Sequence, residues 1–82
     1  MLLYEKFLNS TGICTDSRKI NKNSIFFALK GDKFNGNKFA KSAIEKGASY
    51  AVIDEKKYLY NKENYILVED TLTTLQNLAN FH

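Results

Sequence analysis

The sequence predicts an α/β fold, with a small and mostly parallel sheet of about four strands flanked by helices. Three apolar runs lack polar alternation, as strands buried on both faces do; they lie at 25–29 (IFFAL), 50–53 (YAVI) and 65–68 (YILV). A segment with helical apolar spacing separates the first two runs, and another follows the third. The first two runs and the segment between them span roughly 30 residues, the usual length of a strand–helix–strand unit.

The N-terminal part predicts a helix followed by a short strand. Within residues 2–8, apolar side chains recur at four-residue spacing, which predicts a short opening helix. Gly12 interrupts this pattern, and residues 13–15 predict a strand. We expect Cys14, the single cysteine, to be a small buried hydrophobe in that strand.

The segment between the first two apolar runs predicts a helix over residues 37–46. Asn35 or Asn37 can cap its start, and Gly47 fits the left-handed backbone position after its end. Helical spacing places four apolar residues on one face, namely Phe39, Ala40, Ala43 and Ile44.

The C-terminal segment predicts a last helix, capped by Asp70 or Thr71. Its apolar stripe consists of Leu72, Leu75, Leu78 and Ala79. Residues 54–62 predict one helical turn or two. The chain stops at His82, a residue we expect to be solvated, with the last helix barely finished and no closing signal. We therefore expect a domain cut from a longer protein.

Composition and the absence of several motifs exclude whole classes of function. The chain has 82 residues, 44% hydrophobic and 26% charged, which is typical of one small folded domain. No apolar run approaches the ~20 residues of a membrane span, and one cysteine excludes a disulfide framework, so we expect a cytoplasmic domain. G-x-x-x-x-G-K-[ST], G-x-G-x-x-G and C-x-x-C do not occur, and no close pair of carboxylates marks a pocket wall. We expect no catalytic residue, no cofactor site and no metal site here.

The net charge of +3 is spread unevenly. Residues 16–41 contain seven Lys or Arg and two Asp, a local charge of +5, so the rest of the chain sums to −2. Such an excess marks either a solvated face or an anion-binding surface.

Two polar segments follow predicted strands, at the edge where ligands bind to open parallel sheets. In residues 16–19, Ser17 can donate a hydrogen bond and Arg18 can grip a phosphate in bidentate fashion. In residues 30–37, glycines allow close backbone approach and lysines add charge. The plainer alternatives are that Gly31 and Gly36 are turn residues and that Arg18 pairs with Asp16 at the surface. Phe34 and Phe39 are, on this interpretation, core residues.

Five motifs resemble the N-terminal domain of the Mur ligase family in order and in spacing, and the resemblance extends over almost the whole chain. They are T-D-S-R at 15–18, F-F-A-L-K-G at 26–31, F-N-G-N-K-F-A at 34–40, A-I-E-K-G-A-S-Y-A-V-I-D at 43–54 and V-E-D-T-L-T-T-L-Q-N-L-A-N-F-H at 68–82. The sequence of residues 26–37 is most similar to that of the family branch that adds D-Ala-D-Ala to UDP-N-acetylmuramoyl-tripeptide. The branch that adds the third amino acid of the peptide is the alternative.

The resemblance implies a cytoplasmic step of peptidoglycan synthesis. The complete family enzyme uses ATP and Mg²⁺ to activate the substrate carboxylate as an acyl phosphate, which the amine of D-Ala-D-Ala attacks. Residues 1–82 would be the single N-terminal domain that holds the UDP moiety, truncated before the ATP-binding domain. The other partners of this domain would be the central and C-terminal domains of the same chain. Alone, these residues should not catalyse ligation.

The same resemblance assigns eight residues to the UDP site: Ser17, Arg18, Leu29, Lys30, Gly31, Asn35, Gly36 and Asn37. Many family members have His where this chain has Asn37, so the role of Asn37 stays open.

Two further hypotheses come from other classes. The basic segment and exposed aromatic residues such as Phe34 are compatible with a small module that binds single-stranded nucleic acid, with strong salt dependence. A protein-interaction or regulatory domain with a vestigial pocket would not respond to uridine nucleotides at all.

Overall fold

The structure, a computed structural model, describes residues 2–81, so the expectation for His82 lies outside the described residues. The helices are α1 (Leu2–Leu8), α2 (Ala40–Glu45) and α3 (Thr71–Phe81), with 3-10 turns at Gly36–Phe39 and Lys56–Tyr58. The strands are β1 (Ile13–Cys14), β2 (Ile25–Phe27), β3 (Lys30–Gly31), β4 (Phe34–Asn35), β5 (Tyr50–Ile53) and β6 (Tyr65–Leu67). None of the helices within residues 2–81 is long and apolar enough to cross a bilayer.

Four of the strands form one parallel sheet in the order β1-β2-β5-β6. Ile25 lies opposite Tyr50 across the β2–β5 pair, and Ala51 lies opposite Tyr65 across the β5–β6 pair. The predicted α/β fold with a four-stranded parallel sheet flanked by helices is confirmed. The sheet is parallel because each apolar run is short, buried and separated from the next by a crossover segment.

Side chains of the central strands alternate between two apolar layers. One layer is formed around Phe26, Ala51 and Ile53 together with Ala40 and Ala43 of α2. The other contains Ile25, Phe27, Val52 and Leu78, with α1 and more of α3 packed against it. All of these residues are at most 1% exposed, which explains why the runs show no polar alternation.

The end of β2 differs from the predicted strand of residues 25–29. The strand ends at Phe27, although Ala28 N still donates to Val52 O (3.0 Å). Residues 30–35 then form an antiparallel β3–β4 hairpin outside the main sheet, which the sequence did not predict. Gly36 N donates to Leu29 O (2.7 Å), so the end of the hairpin lies beside the residue that precedes it.

The predicted helix of residues 37–46 begins one residue early as a 3-10 turn and continues as α2. Asn35 is the cap, since its side chain accepts from the backbone N–H of Asn37, and Gly47 has a positive φ of 119°. The expected apolar face is only partly right. Ala40 and Ala43 are buried, but Phe39 is 39% exposed because it ends the 3-10 turn on the outside of the layer.

The apolar stripe of α3 is rotated from the predicted one. Leu78 is buried, whereas Leu72 and Ala79 are exposed. Thr71 takes the first inward position because its hydroxyl donates to Ala28 O (2.7 Å), and this contact fixes the rotation of the helix. Asp70 supplies the cap, with its carboxylate accepting from Leu72 N (3.2 Å).

Candidate functional site

A cavity of about 520 Å³ opens beyond the carboxyl ends of β1 and β2. One side is the loop after β1 and the other is an aromatic wall; the lining residues are Thr15, Asp16, Ser17, Arg18, Phe34 and Phe39. This is the sheet edge at which the sequence predicted a ligand site.

The loop after β1 is a tight turn organised by Asp16. Its carboxylate accepts from the backbone N–H of Arg18 (2.9 Å) and from the Arg18 guanidinium through Nε (3.1 Å) and Nη2 (3.2 Å). The side-chain hydrogen bond with Arg18 lowers the pKa of Asp16 and raises the pKa of Arg18. Lys46 Nζ donates to Ser17 O (3.1 Å), which fastens the loop to the end of α2. The surface pairing of Arg18 with Asp16 is therefore present in the structure.

The aromatic wall consists of Phe34, on the hairpin, and Phe39, at the end of the 3-10 turn. Their rings are stacked, with centroids 5.6 Å apart and an angle of 14° between the planes. Phe34 is 49% exposed, so the expectation that both rings lie in the core is wrong. The physical reason is the unpredicted hairpin, which lies outside the main sheet and carries Phe34 to the rim of the cavity.

Beneath the hairpin, Asn37 is fully buried in a network of hydrogen bonds. Its amide group donates to Asn35 Oδ1 (2.9 Å) and Asp54 Oδ1 (2.9 Å), and its carbonyl accepts from Asp54 N (3.0 Å). Asp54 Oδ2 also accepts from the backbone N–H of Thr71 (3.2 Å). Burial acts to raise the pKa of Asp54, but the hydrogen bonds from Asn37, Thr71 and Lys30 outweigh it and lower the pKa.

Lys30 lies between two carboxylates that follow β5. Its Nζ is 3.1 Å from Glu55 Oε2 and 3.3 Å from Asp54 Oδ1. The hydrogen bonds that Lys30 donates, chiefly the one to Glu55, raise the pKa of Lys30, and the same bond lowers the pKa of Glu55. The two carboxylates are close together but do not line the cavity. Within residues 2–81 no three His, Cys, Asp or Glu side chains come together as a metal site would require.

The structure brings the eight predicted site residues to one edge but gives them different surroundings. Ser17 and Arg18 line the cavity. The other six belong to the segment that carries the aromatic wall: Leu29 directly precedes the hairpin, and the hairpin and the 3-10 turn contain Lys30, Gly31, Asn35, Gly36 and Asn37. Asn35 and Asn37 direct their side chains to each other and to the carboxylates after β5. Contact between any of the eight and a nucleotide stays a prediction.

Sequence reasoning missed the roles of Phe34 and Phe39 in the cavity and of Asp54, Glu55 and Thr71 beneath it. A signal for Asp54 was available, because it directly follows the YAVI strand and so ends at the same sheet edge as the two polar segments. The outward position of the two phenylalanines had no such signal, since aromatic residues are usually buried.

A family model described as "Mur ligase family, catalytic domain" matches residues 9–82. The UDP-N-acetylmuramoyl-tripeptide–D-alanyl-D-alanine ligase of Bacillus subtilis is 43% identical over 70 residues, which are 83% of this chain and 15% of that protein. The UDP-N-acetylmuramoyl-L-alanyl-D-glutamate–2,6-diaminopimelate ligase of Clostridium tetani is 44% identical over 63 residues, covering 73% of this chain and 13% of that protein.

Two solved structures have the same fold. MurF ligase from Thermotoga maritima, in complex with ADP, matches with a TM-score of 0.76 and 29% identity over 84% of this chain and 16% of its own. MurF from Acinetobacter baumannii matches with a TM-score of 0.70 and 28% identity over 84% of this chain and 15% of its own. This chain thus spans about 15% of the length of its relatives. On the family match, the relatives and the shared fold, the chain belongs to the Mur ligase family.

Proposed function

We propose that this chain binds the UDP moiety of UDP-N-acetylmuramoyl-tripeptide as the N-terminal domain of a MurF-type ligase. The observation that carries the proposal is the cavity in which an arginine and a hydroxyl face a stacked aromatic pair. The similarity to MurF proteins in sequence and in fold supports the choice of substrate.

The two sides of the cavity are suited to the two parts of a nucleotide. A uracil ring is flat and apolar on its faces, and stacking on an aromatic side chain favours such a ring. Arg18 can exchange Asp16 for a phosphate group, because a phosphate can accept the same two charge-assisted hydrogen bonds that the Asp16 carboxylate accepts. Its side chain is 84% exposed, so this exchange requires no rearrangement of the fold.

The wider activity belongs to the proposal as well. A MurF-type protein would carry out ATP-dependent ligation of D-Ala-D-Ala in cytoplasmic peptidoglycan synthesis, with ATP and Mg²⁺ bound by central and C-terminal domains outside these 82 residues. Ser17 and Arg18 would anchor the substrate, and the chain alone would not catalyse ligation. An ATP-binding loop encoded within a few dozen residues after His82 is expected in the parent gene, and its absence would contradict this part.

The experiment is an amide-shift titration of the isotopically labelled chain with UDP-N-acetylmuramoyl-tripeptide, UMP and ATP. We expect shifts at residues 15–18 and 29–37 with the uridine ligands and little change with ATP. The variant Phe34→Ala should weaken UMP binding roughly tenfold, because it removes one stacking surface. Leu72→Ala is the matched control, since Leu72 is also 49% exposed but lies on α3 and does not line the cavity.

Failure of the uridine ligands to shift any amide in the folded chain would refute UDP binding by this chain. Binding of oligonucleotides that weakens steeply with salt would instead favour the nucleic-acid hypothesis.

A second candidate is the MurE-type ligase, which adds the third amino acid of the peptide. Several relatives of this type match, among them the Clostridium tetani protein at 44% identity. Both types would use the same UDP end of the substrate, so the titration does not separate them. An activity assay of the complete protein separates the two types, because ligation of D-Ala-D-Ala indicates MurF and ligation of diaminopimelate or lysine indicates MurE.

A further inference from the structure

We infer that Glu55 is a positioning residue, which holds both strands of the β3–β4 hairpin and thereby sets the Phe34 ring at the cavity. We call Lys30, Asn35, Asp54 and Glu55 the Glu55 clasp. The effect on ligand binding rests on the proposed function, whereas the effect on the hairpin does not.

The hairpin needs such support because it is very short. Its ladder contains two residue pairs, Lys30 with Asn35 and Gly31 with Phe34. It does not join the four-stranded sheet, and an isolated two-stranded hairpin is marginal in water.

One carboxylate oxygen of Glu55 contacts both strands. Glu55 Oε2 accepts from Asn35 Nδ2 (2.7 Å) on β4 and lies 3.1 Å from Lys30 Nζ on β3. Lys30 and Asn35 face each other in the ladder, so Glu55 connects the two members of one residue pair across the hairpin. Asp54, which is itself fixed by Asn37 and Thr71, provides a second contact to Lys30 (3.3 Å).

The clasp is connected directly to the aromatic wall. Phe34 immediately precedes Asn35 on β4, and side chains of neighbouring strand residues point to opposite faces. Fixing Asn35 on one face therefore fixes the ring of Phe34 on the other, where it stacks on Phe39. A ring already held in place loses less conformational entropy when a base stacks on it.

An exposed ion pair by itself contributes little, but here both carboxylates are largely shielded from solvent and Asp54 is also held by Asn37 and Thr71. The side chain of Asp54 is only 7% exposed and that of Glu55 is 23% exposed. We therefore expect a moderate effect of the clasp on binding, roughly 3- to 10-fold.

The test uses Glu55→Ala and Lys30→Met in the 82-residue chain, with UMP as the ligand and amide hydrogen exchange as the second readout. The two variants change the net charge in opposite directions, so simple attraction of the anion predicts tighter binding by Glu55→Ala and weaker binding by Lys30→Met. The clasp predicts that both variants bind UMP roughly 3- to 10-fold more weakly. Both should also exchange faster at residues 30–35, with the amides of β5 unchanged.

Glu63→Ala and Lys62→Met are the matched controls, because they make the same charge changes in the exposed loop before β6, at the other end of the sheet. Neither should alter exchange in the hairpin. Exchange at 30–35 that is the same in Glu55→Ala as in the unaltered chain would overturn the clasp. UMP binding by Glu55→Ala that is equal or tighter would overturn its effect on Phe34. Lack of binding of both UMP and UDP-N-acetylmuramoyl-tripeptide by the unaltered chain would refute the proposed function, and with it the role of the clasp in binding.

Discussion

Gly36 occupies a position where the backbone of the preceding strand end leaves no room for a side chain. A Cβ at Gly36 would lie 2.6 Å from Leu29 O, 2.8 Å from Leu29 N and 3.0 Å from the carbonyl carbon of Ala28. All three atoms belong to the backbone, so no rotamer change relieves the contact. We predict that Gly36→Ala strongly destabilises the domain.

The size of the effect comes from two destabilising contributions and one that opposes them. Forcing a methyl group into packed structure costs about 1–3 kcal/mol, and the 2.7 Å hydrogen bond from Gly36 N to Leu29 O would lengthen at a further cost of about 1 kcal/mol. Loss of backbone freedom in the unfolded chain offsets about 0.4–1 kcal/mol. The free energy of unfolding should therefore fall by about 2 kcal/mol, which lowers the Tm of a domain of this size by roughly 8–16 °C.

The assay is urea and thermal unfolding of Gly36→Ala beside Gly31→Ala. Gly31 belongs to the same hairpin, but a Cβ there meets no atom within 4 Å. Gly31→Ala should stay within about 0.5 kcal/mol of the unaltered chain. Equal stability of the two variants would refute the reasoning, because a Cβ meets backbone atoms at Gly36 and nothing at Gly31.

Three other predictions concern the network beneath the hairpin and the rim of the cavity. Asn37→Ala should lower the free energy of unfolding by about 1–3 kcal/mol in urea, because it leaves the backbone N–H of Asp54 without its partner and removes the hydrogen bonds that the Asn37 amide donates to Asn35 and Asp54. A loss under about 1 kcal/mol would contradict this. The pKa of Asp54 is lowered in the folded state, so its contribution to stability is present above the ordinary pKa of 3.8 and is lost as the pH falls through the folded value. Urea midpoints should fall with pH below about 4, less steeply in Asp54→Asn, and equal slopes would count against the assignment. Arg18→Ala should weaken UDP binding roughly 10- to 100-fold in the titration, whereas Lys62→Met, which removes a charge far from the cavity, should not.

Much of the architecture was accessible from local patterns. The apolar runs predicted the parallel sheet because strands covered on both faces have no polar side to display. The position of the site followed from the topology, since the carboxyl ends of parallel strands lie at one edge. Family resemblance added the nucleotide; Ser17 and Arg18 line the cavity, and their contact with a nucleotide stays a prediction.

The details of the site were less accessible because they depend on contacts between distant residues. Asn37 and Asp54 are 17 residues apart, and nothing in the sequence around either residue indicates that they share hydrogen bonds. The rotation of α3 depends in the same way on Thr71 and Ala28, which are 43 residues apart. The helical spacing of the four leucine and alanine residues alone predicts that they form the buried stripe. It cannot predict that Thr71 is buried instead of Leu72, because that depends on the hydrogen bond from the Thr71 hydroxyl to Ala28 O.

The sequence by itself determined the α/β class, the order of the three helices and of the four strands of the main sheet, and the edge that holds the cavity. These features follow from the spacing of apolar residues, which is a local property governed by burial. Only the tertiary structure decided that residues 30–35 form a hairpin, that Phe34 and Phe39 face the cavity, and that Asn35 and Asn37 turn inward. Those outcomes depend on which polar groups find partners once the sheet has assembled, and a buried amide or carboxylate is stable only where such partners exist.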